Sequence, residues 1–137
     1  MYKQSEVNKA LITILLILSA IIVFTSSYIG GVLIALAINL VIGTLFYSMT
    51  IEVNGNKVCW YFGLGFLRKE VEVSSITEVS IYETKLYQGI GVRMLKDGWL
   101  YNASVGKALK LKLSSGKNIY LGCKDVEGLQ LALASTN

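Results

Sequence analysis

Few side chains in this chain could do chemistry. There is no histidine, and there are two cysteines, Cys59 and Cys123. Without imidazole the commonest general base and metal ligand is missing. The cysteines stand far apart and neither has a CxxC partner, so zinc or dithiol spacing is absent. Both read as small buried apolar residues. Glu70 and Glu72 alternate with Val71 and Val73, and Arg68 falls in the same register. That spacing puts the two carboxylates on one strand face as an exposed charge ladder, not an acid/base pair in a cleft. Gly63 and Gly65, and again Gly89 and Gly91, resemble phosphate-cradling glycines. Neither pair opens a helix, so turns and bulges are their expected duty. No nucleophile with a neighbouring base can be placed. The expectation is a non-catalytic protein with no cofactor and no metal.

Two groups could bind rather than react. Lys57, Arg68 and Lys69 follow a long apolar segment and suit an anionic lipid surface, at up to about 1 kcal/mol per cation. The lysine and arginine spacing of a phosphoinositide motif is missing. The second group is Gly98-Trp99-Leu100-Tyr101-Asn102, with Arg93 and Lys96 just before it. Trp99 either packs over the fold while Tyr101 and Asn102 hydrogen-bond the loop, or it presents an aromatic anchor to a partner or to the bilayer interface. The net charge of +4 is mild and the signs are interspersed. That balance excludes nucleic acid as the expected partner.

The elements that must hold these residues are of two kinds. From Ala10 to Met49 no residue is charged. A bilayer crossing needs about 20 apolar residues, and this run supplies enough for two. Its turn-forming stretch is Thr25 to Gly31. The reading is a transmembrane hairpin, with one helix over about 7–26 and another over about 30–49. Lys3 and Lys9 precede it, Lys57, Arg68 and Lys69 follow it, and the connecting loop is uncharged. Both termini are therefore expected on the cytoplasmic side of the inner membrane. Gly31, Ala35, Asn39 and Gly43 recur every four residues, forming a stripe that lets another helix approach closely. Asn39 falls near mid-membrane, at the depth of Ser19 on the first helix, and the two are expected to meet. The alternative occupant of the stripe is a second protein or a second copy of the chain.

From Thr50 the apolar period changes to two. Lys107-Ala108-Leu109-Lys110-Leu111-Lys112-Leu113 is the clearest case of an apolar face backed by a charged one. Seven strands are expected over about 50–54, 57–63, 66–73, 77–84, 90–95, 107–113 and 117–122. Turns fall at Asn54-Gly55-Asn56, Asp97-Gly98 and Ser114-Ser115-Gly116. Residues 99–101 extend a strand or form a structured loop. Asp125 is a good N-cap for a final helix that buries Val126, Leu129 and Leu133.

Seven strands and one amphipathic C-terminal helix resemble the pleckstrin-homology-like superfold. The blocks WYFGLGFLRK (60–69), GIGVR (89–93), GWLYN (98–102) and GKNIYLG (116–122) are similar to those of small bacterial membrane proteins with two helices and a bacterial PH-like domain. The resemblance implies an α+β chain: a hairpin over 1–49, then a cytoplasmic antiparallel β-barrel over 50–137 capped by a helix. It implies a location and no reaction. The function expected is a membrane-tethered module that binds a protein or peptide, or assembles with itself. The alternative is a sensor of anionic lipid headgroups.

Overall fold

The chain begins with a strand. In a computed structural model covering residues 2–88, 91–103 and 105–136, β1 (Tyr2–Val7) leads directly into α1 (Lys9–Thr25) and, after a short turn, α2 (Ile29–Phe46). Expectations resting on Gly89 and Ile90 lie outside the described residues. Asn8 caps α1, its Oδ1 accepting from the Leu11 N–H at 3.0 Å, which satisfies one of the free amides of the first turn. The next strand, β2 (Ser48–Asn54), pairs antiparallel with β1 along its length, from Tyr2 against Val53 to Val7 against Ser48. The Asn8 N–H donates to the Tyr47 carbonyl at 2.7 Å. Both ends of the helical pair therefore rest on one ladder.

α2 is long and apolar enough to cross a membrane, and 6% of that span is buried within the molecule. α1, with 17 residues, is apolar but shorter. The helices touch along a narrow seam. Asn39 Nδ2 donates to Ser19 Oγ at 3.1 Å, and Ser19 Oγ in turn donates to the Leu15 carbonyl at 2.7 Å. This is the contact expected from the sequence. Gly43 faces the Leu15 side chain, which a Cβ at that position would meet at 3.4 Å. Away from the seam Leu16, Ile17, Phe24, Leu33, Ile34 and Leu40 are exposed. Monomeric soluble proteins rarely expose so broad an apolar patch.

β3 (Lys57–Phe62) and β4 (Phe66–Glu72) complete a four-stranded antiparallel meander, β1-β2-β3-β4. A single 3₁₀ turn, Val73–Ser75, then carries the chain into a second sheet built from β5 (Ile76–Glu83), β6 (Gly91–Leu95), β7 (Gly98–Asn102), β8 (Lys107–Leu113) and β9 (Asn118–Gly122). Its order is β5-β8-β9-β7-β6. The inner faces of the two sheets share one core that includes Trp60, Phe62, Tyr101, Leu109, Leu111 and Leu121. α3 (Val126–Thr136) closes one end. Asp125 Oδ1 accepts from the Gly128 N–H at 3.0 Å, and Val126, Leu129 and Leu133 are buried.

The barrel expectation is corrected on three points. The described strands number nine, because β1 and β7 join the seven expected. The sheets are open, because β4 and β5 do not pair: the Val73–Ser75 corner bonds to each sheet separately, Val73 N–H to the Asn56 carbonyl and Ser114 N–H to the Ser75 carbonyl, both at 2.8 Å. The pairing is also not all antiparallel, since β7 runs parallel to β9. Glycine makes that insertion possible. A Cβ on Gly98 would collide with the Asn118 carbonyl oxygen, and one on Gly122 with the Asn102 side chain.

The helix seam generates a test. In a double-mutant cycle with Asn39→Ala and Ser19→Ala, unfolding in mixed micelles should give a coupling of about 0.6 kcal/mol, with roughly 1.7 kcal/mol as the ceiling. Additive effects would show that the amide contributes nothing specific to the pairing.

Candidate functional site

Alternation along β7 decides which of the aromatic-block residues can meet a ligand. Trp99 and Tyr101 point to the inner side, Leu100 and Asn102 to the outer side. Tyr101 lies in the core, its ring 5.3 Å from that of Trp60. Asn102 is fully buried, and its Oδ1 accepts from the Gly91 N–H at 3.0 Å, fixing the start of β6. Neither belongs to an exposed surface, so both leave the candidate set as interior residues. Trp99 is 46% exposed, and its cross-strand partner Met94 is 75% exposed. Together they make an apolar pair at the open end of the sheet, beside its edge strand β6.

Arg93 and Lys96 belong to a different feature. They line a groove of about 680 Å³ on the outer face of the second sheet, with Tyr82, Tyr87, Met94 and Tyr120 among its other walls. A small second core that includes Leu100, Ala108 and Tyr120 packs beneath it. Tyr82 meets Tyr120 edge-on at 4.9 Å, and Gln88 Nε2 donates to the Tyr82 hydroxyl at 2.8 Å. At one end Asp97 is fully engaged. The Tyr120 hydroxyl donates to its carboxylate at 2.9 Å, Asn118 Nδ2 donates at 3.1 Å, and Lys110 stands at 3.5 Å. The Tyr120 hydrogen bond, reinforced by the Lys110 charge, holds Asp97 below its usual range. Among the described residues Arg93 and Lys96 have no ion-pair partner. The groove thus presents two uncommitted cations above an aromatic floor, while its one carboxylate is neutralised internally.

The three remaining candidates lie on the first sheet. Lys57, at the start of β3, pairs with Glu70 at 2.9 Å. Lys69 stands opposite Trp60, three residues along β3 from Lys57, roughly 10 Å. That is about one Debye length at physiological salt. The Arg68 guanidinium lies over the Tyr61 ring at 5.5 Å and donates to Cys59 Sγ at 3.6 Å. The helix stripe is split: Asn39 and Gly43 face α1, whereas Gly31 lies against its neighbour Tyr28, and Ala35 is half-buried.

Cys123 is held in its thiol form. Burial pushes the Cys123 thiol up to about 11, far from the thiolate form a nucleophile needs. Among the described residues no three His, Cys, Asp or Glu side chains gather as a metal site would require. The groove residues that sequence reasoning missed are Tyr82, Tyr87, Asp97 and Tyr120. A signal was present for two of them: Tyr82 and Tyr120 occupy outward strand positions whose neighbours are mostly polar, as at Glu78, Ser80, Lys110, Lys112 and Asn118. No family model and no curated protein matches the chain.

The Asp97 network sets a pH dependence. Because its native pKa is lowered, Asp97 contributes stability above the ordinary Asp value of 3.8, and that contribution is lost as the pH falls through its lower native value. A carboxyl NMR titration should find Asp97 ionising below 3.8 in the native chain. Tyr120→Phe should move its midpoint upward, and an unchanged midpoint would exclude the hydroxyl as its cause.

Proposed function

We propose that the chain is a membrane-anchored, non-catalytic binding module that takes an extended acidic segment of a partner protein along the β6 edge. On this reading both helices cross the bilayer. The seventeen residues of α1 lie at the lower limit of the range of about 17–25 that a crossing requires. The β1–β2 ladder adds a geometric argument, because it returns the start of α1 to the end of α2. If α2 crosses, α1 must return the chain across the same thickness. The cations before and after the helices favour the cytoplasmic side for both termini. Kinship with PH-like modules is part of the proposal and draws support from two packed sheets with a helix at one end.

The observation that carries the proposal is the composition of the β6 edge. An incoming strand alternates its side chains between the two faces of a sheet. The β6 edge offers an exposed apolar pair, Trp99 and Met94, and the cations Arg93 and Lys96 of the groove that Met94 also lines. A segment with alternating apolar and acidic residues fits both. The second reading, recognition of anionic lipid headgroups, has one observation in its favour: Arg68 and Lys69 stand near the α2 end of β4.

The experiment places a photo-crosslinking residue at Met94 in the full chain within native membranes. A protein adduct is expected. Arg93→Glu combined with Lys96→Glu should lower its yield roughly 5- to 30-fold, as the loss of one to two kcal/mol implies. Lys124→Glu, an exposed cation elsewhere, should leave it unchanged. Adducts with lipid alone, or a yield indifferent to the charge reversals, would reject the edge as a protein site.

A further inference from the structure

The turn between β3 and β4 reads Gly63-Leu64-Gly65 and is flanked by Phe62 and Phe66. Leu64 is 85% exposed, and Phe66 and Leu67 are also exposed. A tight turn on a soluble domain is ordinarily polar. This one carries its largest apolar side chain at the tip.

Its position explains the anomaly. Gly63 packs directly on the last turn of α2, where a Cβ would come within 2.6 Å of the Thr44 carbonyl and 2.7 Å of that of Leu45. The Gly63 N–H donates to the Ser48 carbonyl at 2.8 Å. Phe46, the final residue of α2, stacks edge-on against Phe66 at 5.2 Å and lies 5.5 Å from Phe62. The turn is therefore level with Thr44–Phe46, inside the apolar span that begins at Ile29. A residue that projects from this level cannot be in bulk water if α2 is in lipid. The backbone is shaped to suit. The ladder slips between Trp60 and Phe62, and Leu67 adopts a left-handed φ of 54°, a combination found where a bulge re-aims side chains. Next in sequence come Arg68 and Lys69, where cations meet anionic headgroups when an apolar tip enters the acyl boundary.

We infer that the β3–β4 turn is a second membrane attachment, with Leu64 and Phe66 seated at the boundary between headgroups and acyl chains. This rests on α2 crossing the bilayer, as proposed above. Its consequence is rotational. A helical pair alone can tilt in the bilayer and carry the domain with it; a second contact on the first sheet fixes that tilt, and with it the direction in which the β6 edge faces.

The test uses the full chain in phosphatidylcholine–phosphatidylglycerol vesicles. Leu64→Trp is made in a Trp99→Phe background, so that the buried Trp60 is the only other indole and the parent supplies its signal. Lipids brominated high on the acyl chain should quench the Leu64→Trp emission by about half or more, and aqueous acrylamide should have little effect. Leu131→Trp, exposed on α3, should behave in the opposite way. Ile38→Trp, in the middle of α2, should be quenched by lipids brominated deep in the chain. If Ile38→Trp is quenched and Leu64→Trp responds only to acrylamide, the second attachment is overturned while the crossing stands. If Ile38→Trp also escapes the brominated lipids, the crossing fails and the attachment with it.

Discussion

The β1–β2 ladder is the constraint on which the rest depends. Six residues before the helices pair with the six that open β2, and the Asn8–Tyr47 bond closes the ladder at its base. Without it α1 would have a free N-terminus, and β2 would expose one edge of backbone donors and acceptors. With it, two apolar helices and a two-sheet domain become one body joined by a pair of antiparallel strands instead of a linker. The stretch from Phe46 to Ser48 is too short to allow independent motion. Lys3 reinforces the ladder with an ion pair to Glu52 at 2.8 Å. Both groups are partly solvated, so the backbone bonds carry more of the stability than this pair does.

The helices obey a different solvent logic from the domain they join. In the sheets, burial of Trp60, Phe62, Leu109 and Leu121 supplies the driving force, at roughly 1.5–3 kcal/mol for each large side chain removed from water. Between the helices most apolar side chains remain exposed, so hydrophobic burial contributes little to their pairing. Close approach at Gly43 and one amide–hydroxyl bond at Asn39 remain. Under the proposed function this is the pattern of helices paired in lipid, where packing and interhelical hydrogen bonds replace the hydrophobic term. The i−4 bonds of Thr13, Ser19, Thr25 and Thr44 to backbone carbonyls fit the same rule, since each hydroxyl is satisfied within its own helix.

What the sequence made legible follows from the same physics. The uncharged run, the period-two strands and the Asp125 cap are local signals, and the structure holds an element at each. The Asn39–Ser19 contact could be read because two helices joined by a short turn align residues of equal depth. β1 could not be read, because its inward side chains are Tyr2, Gln4 and Glu6, which give no apolar alternation. Their partners are polar and distant in sequence: the Tyr2 hydroxyl reaches Asp125 Oδ2 at 3.3 Å and Cys123 Sγ at 4.0 Å. β7 was ambiguous because Trp99, Leu100 and Tyr101 are all apolar, and such a run has no preferred face until a sheet surrounds it on both sides. The open sheets were hidden for a related reason. Whether β4 and β5 pair is decided by three corner residues, and nothing in either strand's own pattern records it. The groove was half visible: its cations stood beside a turn, but its aromatic floor comes from β5 and β9, which topology alone brings together.

That topology also separates the two surfaces the chain offers. β4, whose first residues adjoin the end of α2, is an edge of the first sheet; β6 is an edge of the second. The shared core lies between them, so a segment added to β6 displaces no residue of the β3–β4 turn. Under the proposed function this division matters energetically. A module held at the membrane meets membrane-bound partners at a raised effective concentration, but only if its binding edge faces them. The short join between helix and sheet removes most orientational freedom in advance, so a partner need not supply the entropy of fixing it. An edge strand of five residues with Arg93 on it and Lys96 just beyond its end is then sufficient, where a freely diffusing domain of the same composition would need a larger interface.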